Sequence, residues 1–328
     1  MKKYFTYLFT ILIISVFTGF LILRFESKDN KELENIKVAE VTHSIFYAPF
    51  YTAIENGYFL DEGISIELIL TSGSDNVAAS VLSGDTQVGL AGPESAMYVY
   101  NGGEKDYLQV FAGLTKRDGQ FILSRNKNFK WEDLIGKEIL IGRSTGMPGL
   151  SFMKALENKG IDKTKVKIND SVEFAELSGT FIGGVGDYVN LFEPTATKLE
   201  NNKQGYVQVS VGLASNEFPY TAFYSRKSYL NNNKELLTKF TNALNKGIKY
   251  VYDNKEDVVA EKIHSQFKDA SINDLTQQIK RYKEADVWLN NPYIEKDFYN
   301  TLNDLLLDND LIKKSVDYNK IINNMYEK

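Results

Sequence analysis

The residues able to do chemistry gather in loops between apolar runs. Residues 42–49 (THSIFYAP) crowd an imidazole (His43), a hydroxyl (Ser44) and two aromatic rings (Phe46 and Tyr47) into one turn. Aromatic faces with a few polar groups are what small-molecule pockets are made of; Phe46 equally fits a core position under that loop. Residues Gly92, Pro93, Glu94 and Ser95 open a helix, where free N–H groups and the positive end of the helix dipole suit an acceptor or an anion. Glu94 there also fits as a cap of its own helix. Residues 142–149 (GRSTGMPG) repeat the arrangement, with Ser144, Thr145 and Gly146 at a second helix start. GxxxxGK[ST] is absent, which excludes a P-loop. Residues 183–196 (GGVGDYVNLFEPTA) join a glycine turn to an acid (Asp187), a ring (Tyr188) and a Glu-Pro strand end (Glu193). A carboxylate at the mouth of a strand accepts paired hydrogen bonds from an amino-pyrimidine edge; Glu193 also fits as a cap for the helix that begins at Pro194. Asp118 completes the set, in the polar stretch 115–119.

The elements that must hold these loops follow from periodicity. Residues 36–41 and 87–90 read as strands, 64–70 alternates with period two, and 49–56 and 76–82 read as helices stopped by glycine. The succession is βαβαβ, which predicts a largely parallel sheet. A second series has strands at 138–141, 166–168, 187–192 and 206–211. It also has a helix at 148–159, with Pro in its first turn and Gly160 past its end, and a helical face of Phe174, Leu177 and Phe181. Farther on, Leu237, Phe240, Leu244, Ile248 and Val251 keep helical spacing, and Leu311, Ile312, Val316 and Ile322 predict a closing helix.

Two segments look alike, 120–125 (QFILSR) and 221–226 (TAFYSR), and they bracket the second series. The expected organisation is a first lobe (36–118), a second lobe (119–218) and a return to the first (219–328, mainly helical), with a ligand cleft between lobes. The other reading is two edge strands with a chance likeness.

Composition narrows the function classes. With 328 residues, 43% hydrophobic, 25% charged and no cysteine, the chain is an ordinary globular protein of more than one lobe. Zero Cys excludes iron-sulfur clusters, thiolate zinc sites, cysteine nucleophiles and a cysteine-borne lipid anchor; two histidines argue against a His-rich metal centre. Beyond residue 25 there are 35 basic against 43 acidic side chains and no basic cluster, so nucleic acid is not expected as a partner.

Residues 5–23 are an apolar run preceded by Lys2 and Lys3. Its length matches the roughly 20 residues that cross a bilayer, and no small-x-small cleavage site follows. The expectation is a signal anchor, or a signal peptide, over 1–25, with a linker at 26–35 and the body outside the cytoplasm.

The run from His43 through Pro49, with Ala53, residues 57–59 (GYF), 62–64 (EGI), 83–85 (SGD) and 88–89 (VG), resembles the opening of the SsuA/THI5-like (NMT1) solute-binding proteins. Residues 186–188, 193–194 and 218–220 are similar to a branch of that family over about 36–326. The resemblance implies a type II periplasmic-binding-protein fold and a role as the ligand-capturing subunit of an ABC importer. The implied partners are a permease, its ATPase and a small molecule: a sulfonate, a nitrate-like anion or a thiamine-precursor pyrimidine. The implied protein is monomeric, needs no cofactor and performs no catalysis. Two departures follow from the missing cysteines. There is no lipidation site, so any anchor must be the N-terminal helix, and the cysteine-rich motif of the family's pyrimidine synthases is absent. The rival enzyme would use His43 as a base oriented by Glu193.

Four acids, Glu94, Asp118, Asp187 and Glu193, fall in the expected cleft loops against Arg117, Arg143 and His43. Acids facing a ligand repel an anion. The expected ligand is a neutral or amine-bearing, pyrimidine-like heterocycle stacked on Phe46, Tyr47 or Tyr188; an acid paired with Arg143 would cancel that charge argument.

Overall fold

The computed structural model describes residues 33–71 and 73–326; the expected anchor and most of the linker lie outside them. Among the described residues, no helix is long and apolar enough to cross a membrane. Ten strands are present: β1 (Glu34–Glu40), β2 (Ile64–Leu70), β3 (Val88–Ala91), β4 (Leu108–Thr115), β5 (Phe121–Ser124), β6 (Glu138–Leu140), β7 (Lys167–Asn169), β8 (Tyr188–Leu191), β9 (Tyr206–Ser210) and β10 (Thr221–Arg226). They form two five-stranded sheets, ordered β2-β1-β3-β10-β4 and β7-β6-β8-β5-β9, each flanked by helices, giving two α/β lobes.

The sheets are largely parallel, as expected, but mixed by a reversed strand in each. β1 runs parallel to β3, and β6 runs parallel to β7 and β8. β10 is antiparallel to β3 and β4, and β5 is antiparallel to β8 and β9. The two segments of similar sequence, 120–125 and 221–226, are thus the reversed strands of the two sheets. A parallel strand needs a crossover of about a dozen residues or more. β5 instead comes directly from the other sheet, through the short stretch 116–120, and β10 comes back through 211–220. Residues 108–115, not expected as a strand, form β4; all eight are buried. Along β4 the chain's own end is bonded, Asn323 N–H donating to the Val110 carbonyl (2.8 Å) and Met325 N–H to that of Phe111 (3.1 Å).

Phe50, Phe59, Phe111, Phe223 and Phe240 pack in the first lobe with ring centroids 4.9–6.4 Å apart. Phe240 belongs to helix Lys234–Asp253, whose buried face carries Leu237, Leu244, Ile248 and Val251 at the expected spacing. Gly247 lets this helix close on helix Ala48–Glu55, since a Cβ there would meet the Pro49 carbonyl oxygen at 2.2 Å.

The expected closing helix is not one helix. Helix Lys296–Asp308 stops where Asn309 turns its amide onto the Leu305 carbonyl and Asp310 adopts a left-handed φ of 56°. Asn303 then holds an irregular stretch, accepting from Val316 N–H (2.9 Å) and donating to Ser315 Oγ (2.8 Å). Ile312 and Val316 therefore reach the core from a loop, and only Tyr318–Ile321 is helical beyond it.

Candidate ligand-binding site

At the end of β3 the chain turns through Gly92 and Pro93 into helix Glu94–Asn101. The Glu94 side chain folds back over Gly92 so closely that a Cβ there would lie 2.0 Å from Oε2. Glu94 is 2% exposed, and its Oε2 has no hydrogen-bond partner within the protein. Burial pushes its pKa up to about 8, against the pull of the N–H groups of Glu94, Met147 and Ser95 and with some help from the Asp75 charge.

Asp118 lies in the stretch between β4 and β5. It is fully buried; Oδ1 accepts from Gln120 N–H at 2.7 Å, and Oδ2 makes no bond within hydrogen-bond geometry, though the Ser151 and Tyr220 hydroxyls lie close enough to act on the carboxyl. Burial pushes its pKa up to about 7, opposed by Gln120 N–H and the hydroxyls of Ser151 and Tyr220.

These two acids are part of a concentration of unpaired polar groups. Among the described residues, thirteen buried side-chain polar atoms lack a hydrogen-bond partner, and eight of them belong to Glu94, Thr115, Asp118, Gln120, Asn190, Tyr220 and Tyr224. Burying a polar group unpaired costs about 1–3 kcal/mol, so such a concentration is a candidate place for a ligand or ordered water to supply the bonds. Glu94, Tyr47, Tyr220 and Tyr224 stand within electrostatic reach of one another. Burial first, and the neighbouring acids second, raise all three phenols above their ordinary value. None of these residues is basic. Rings close the other side: Phe46 lies 5.3 Å from Phe192, 5.5 Å from Tyr282, 5.6 Å from Tyr220 and 5.8 Å from Tyr47. Gly119 admits the Phe46 ring, which a Cβ would meet at 2.5 Å. Chemically, the arrangement offers stacking faces, two buried acids and several hydroxyl and amide groups that can donate or accept. Among the described residues, no cluster of His, Asp and Glu is placed to hold a metal ion.

The structure brings together Phe46, Tyr47, Glu94, Ser95 and Asp118 from the expected set, with Gly92 and Pro93 as the buried seat of Glu94. His43 and Ser44 adjoin this group in supporting bonds. His43 Nδ1 meets Glu40 at 2.7 Å and Nε2 meets the Gln266 carbonyl at 3.0 Å. Burial alone would lower its pKa, but the bond and charge of Glu40 hold it raised. Ser44 Oγ caps the turn Ile45–Tyr47 and donates to the Glu193 carbonyl (2.6 Å). Ser144, Thr145 and Gly146 lie at the rim; Tyr98 donates to the Thr145 carbonyl at 3.1 Å, and Arg143 pairs with Asp75 at 2.5 Å, joining the lobes there.

Three residues of the set are placed elsewhere or otherwise engaged. Asp187 and Tyr188 are at the start of β8, the end opposite the site. There Asp187 bonds Glu138 N–H (3.0 Å) and Lys137 (3.3 Å), and Tyr188 packs edge-on against Phe129. Glu193 is buried and bonded at both oxygens. Oε1 accepts from Arg281 (2.8 Å), Oε2 from Thr197 N–H at the start of helix Thr195–Asn201 (2.8 Å), and its own N–H donates to Tyr282 OH (2.9 Å). Glu193 therefore braces the start of that helix, with one bond on each oxygen. His43 likewise does not contact Glu193, so the base and orienter of the rival enzyme are not paired. Sequence reasoning missed Tyr220, Tyr224, Gln120 and Asn190. Asn190 gave a signal, a lone amide inside the apolar strand Tyr188–Leu191 with neither side-chain polar atom paired.

Residues 45–258 match the family model described as NMT1/THI5 like. The chain is 34% identical over 299 residues, 90% of each chain, to YtlA of Bacillus subtilis, whose name says no more than that it is a binding protein. It is 22% identical over 244 residues, 71% of each chain, to the formylaminopyrimidine-binding protein of Halalkalibacterium halodurans. Among solved structures, the ligand binding component of an ABC-type import system from Staphylococcus aureus, with zinc bound, superposes with a TM-score of 0.71 at 14% identity, over 89% of this chain and 97% of that one. The alkanesulfonate-binding protein SsuA of Xanthomonas axonopodis pv. citri, bound to MOPS, gives 0.68 at 13%, over 89% and 99%. The two-lobed architecture is thus shared with periplasmic binding proteins, and the chain belongs to the NMT1/THI5-like family of binding proteins.

Proposed function

We propose that the protein is the extracytoplasmic ligand-capturing subunit of an ABC importer and that it closes its two lobes on a neutral or amine-bearing nitrogen heterocycle of the aminopyrimidine kind. The observation that carries the ligand class is the pair of buried acids, Glu94 and Asp118, each with an oxygen unpaired in the protein and with aromatic rings beside them. A sulfonate or nitrate in that setting would find hydroxyl and amide donors but also two buried acids, and the Arg117 guanidinium beside Asp118 is already engaged by Glu217 at 2.7 Å. Arg143 does not cancel the argument through Glu94 or Asp118, because its partner is the exposed Asp75. The relative that binds formylaminopyrimidine supports the same class.

Closure follows from the chain path. The stretches 116–120 and 211–220 are the hinge, and a ligand that contacts both lobes favours the closed state by its extra affinity for it. Residues 1–25 serve as the membrane anchor or export signal; the partners are a permease with its ATPase, and the subunit acts as a monomer. The test is calorimetric titration with aminopyrimidines, alkanesulfonates, nitrate and amino acids. Dissociation constants of about micromolar or tighter, equivalent to about 8 kcal/mol, are expected for aminopyrimidines alone. Binding of a sulfonate with none of an aminopyrimidine would overturn the ligand class and leave the family intact.

A further inference from the structure

We infer that Glu94 reads its ligand as a neutral carboxylic acid, its O–H donating to a ring nitrogen and its C=O accepting from the adjacent amino group of an aminopyrimidine edge. The inference rests on the ligand class proposed above and adds which side chain reads it and in which protonation state.

The geometry around Glu94 leaves no cation to hold a negative charge. The groups that face it are Tyr47 from the turn Ile45–Tyr47, Tyr98 from its own helix, Tyr220 and Tyr224 beside and on β10, and Asp75 from helix Ser74–Ser83. Asp118 shares Tyr220 with it. Arg143 is on the rim and engaged by Asp75 at 2.5 Å, both being more than half exposed. The N–H groups of Glu94, Ser95 and Met147 favour the carboxylate, but burial outweighs them. For a buried acid without a counter-ion, keeping the proton costs less than keeping the charge. Seated over Gly92, the side chain has Oε2 unpaired and free to carry the O–H; beside the bonds that the N–H groups supply, the carbonyl oxygen keeps a second lone pair to accept from the amino group.

A neutral acid and an aminopyrimidine edge match atom for atom: O–H to ring nitrogen, amino N–H to C=O. A carboxylate would offer two acceptors and leave the ring nitrogen without a donor. The complex holds one shared proton, whether it rests on oxygen or on ring nitrogen. Above the pKa of free Glu94, that proton must be taken up from solvent, so affinity falls as pH rises. Glutamine carries the same donor and acceptor pair without a titrating proton, which separates the recognition pattern from the charge.

The experiment is calorimetric titration of the full chain with a formylated aminomethylpyrimidine, whose side group does not titrate, from about pH 6.5 to 9.5. Wild type, Glu94→Gln and Glu94→Leu are compared, each shown folded by its thermal transition. Wild-type affinity is expected to fall as pH passes about 8, approaching tenfold per unit. Glu94→Gln should stay within about tenfold of wild type at neutral pH and lose the pH dependence, and Glu94→Leu should lose about a hundredfold or more at every pH. Loss of binding in Glu94→Gln, or survival of the pH dependence in it, would overturn the inference while the ligand class stands. Failure of wild type to bind the probe at any pH would overturn the ligand class itself.

Discussion

Two glutamates stand at equivalent places, one after the end of β3 and one after the end of β8, and their surroundings assign them opposite work. Glu94 is buried among tyrosines, has one oxygen unpaired and carries a pKa pushed up to about 8. Glu193 is as buried, yet both oxygens and its backbone N–H are bonded, to Arg281, Thr197 and Tyr282. The difference is one guanidinium, delivered by helix Ile272–Glu284 from the far part of the chain. A buried acid with a cation becomes part of the scaffold. A buried acid without one waits for a ligand or keeps a proton.

The comparison can be broken most forcefully at Arg281. Arg281→Met leaves Glu193 buried without its partner, as well as removing the bonds to Thr197 and Glu200. The expected loss is about 3–5 kcal/mol of stability by urea denaturation; a loss below about 1 kcal/mol would show that Glu193 is not held as described. At Glu94 the opposite sign is expected. Its pKa is raised on folding from 4.5 to about 8, so between those values the unfolded chain gives up its proton first and stability falls as pH rises. Glu94→Gln should therefore raise stability at pH 8 by about 2–3 kcal/mol, a gain that vanishes near pH 4, as read by melts across that range.

Two smaller effects sharpen the contrast. Tyr282→Phe removes the acceptor of Glu193 N–H and should cost about 1–2 kcal/mol without changing the pH profile assigned to Glu94. Arg143→Glu breaks the exposed pair with Asp75 and should cost about 0.5 kcal/mol or less, an effect that disappears at high salt. Urea denaturation at low and high ionic strength checks both.

The loops at the ends of β1 and β3 were legible because their residue types are local signals: aromatic rings next to a helix start, and Gly-Pro before an acid. Phe46, Tyr47 and Glu94 need only their neighbours to be noticed. Glu193 carried the same local signal, and what distinguishes its surroundings is Arg281, which no short window contains. For Asp187 and Tyr188 the local signal lacked direction: they stand at the start of β8, and Glu193 follows its other end. β4 was missed because it is buried throughout and shows no alternation. The reversed strand in each sheet was missed because similar strand sequences say nothing of orientation. The predicted closing helix failed at Asp310, where a left-handed residue ends the periodicity that Ile312, Val316 and Ile322 mimic. Tyr224 lay in a strand-like segment and Tyr220 just before it, and they came beside Glu94 only once β10 was inserted between β3 and β4.

The central claim is that Glu94 reads the ligand and Glu193 holds the scaffold. Its most direct test is a calorimetric titration of the formylated aminomethylpyrimidine at neutral pH into Glu94→Leu and Glu193→Gln, each shown folded beforehand. Glu94→Leu is predicted to lose about a hundredfold in affinity, while Glu193→Gln stays within about threefold of wild type despite a lower melting temperature. The reverse pattern, full affinity in Glu94→Leu with binding lost in Glu193→Gln, would contradict the account.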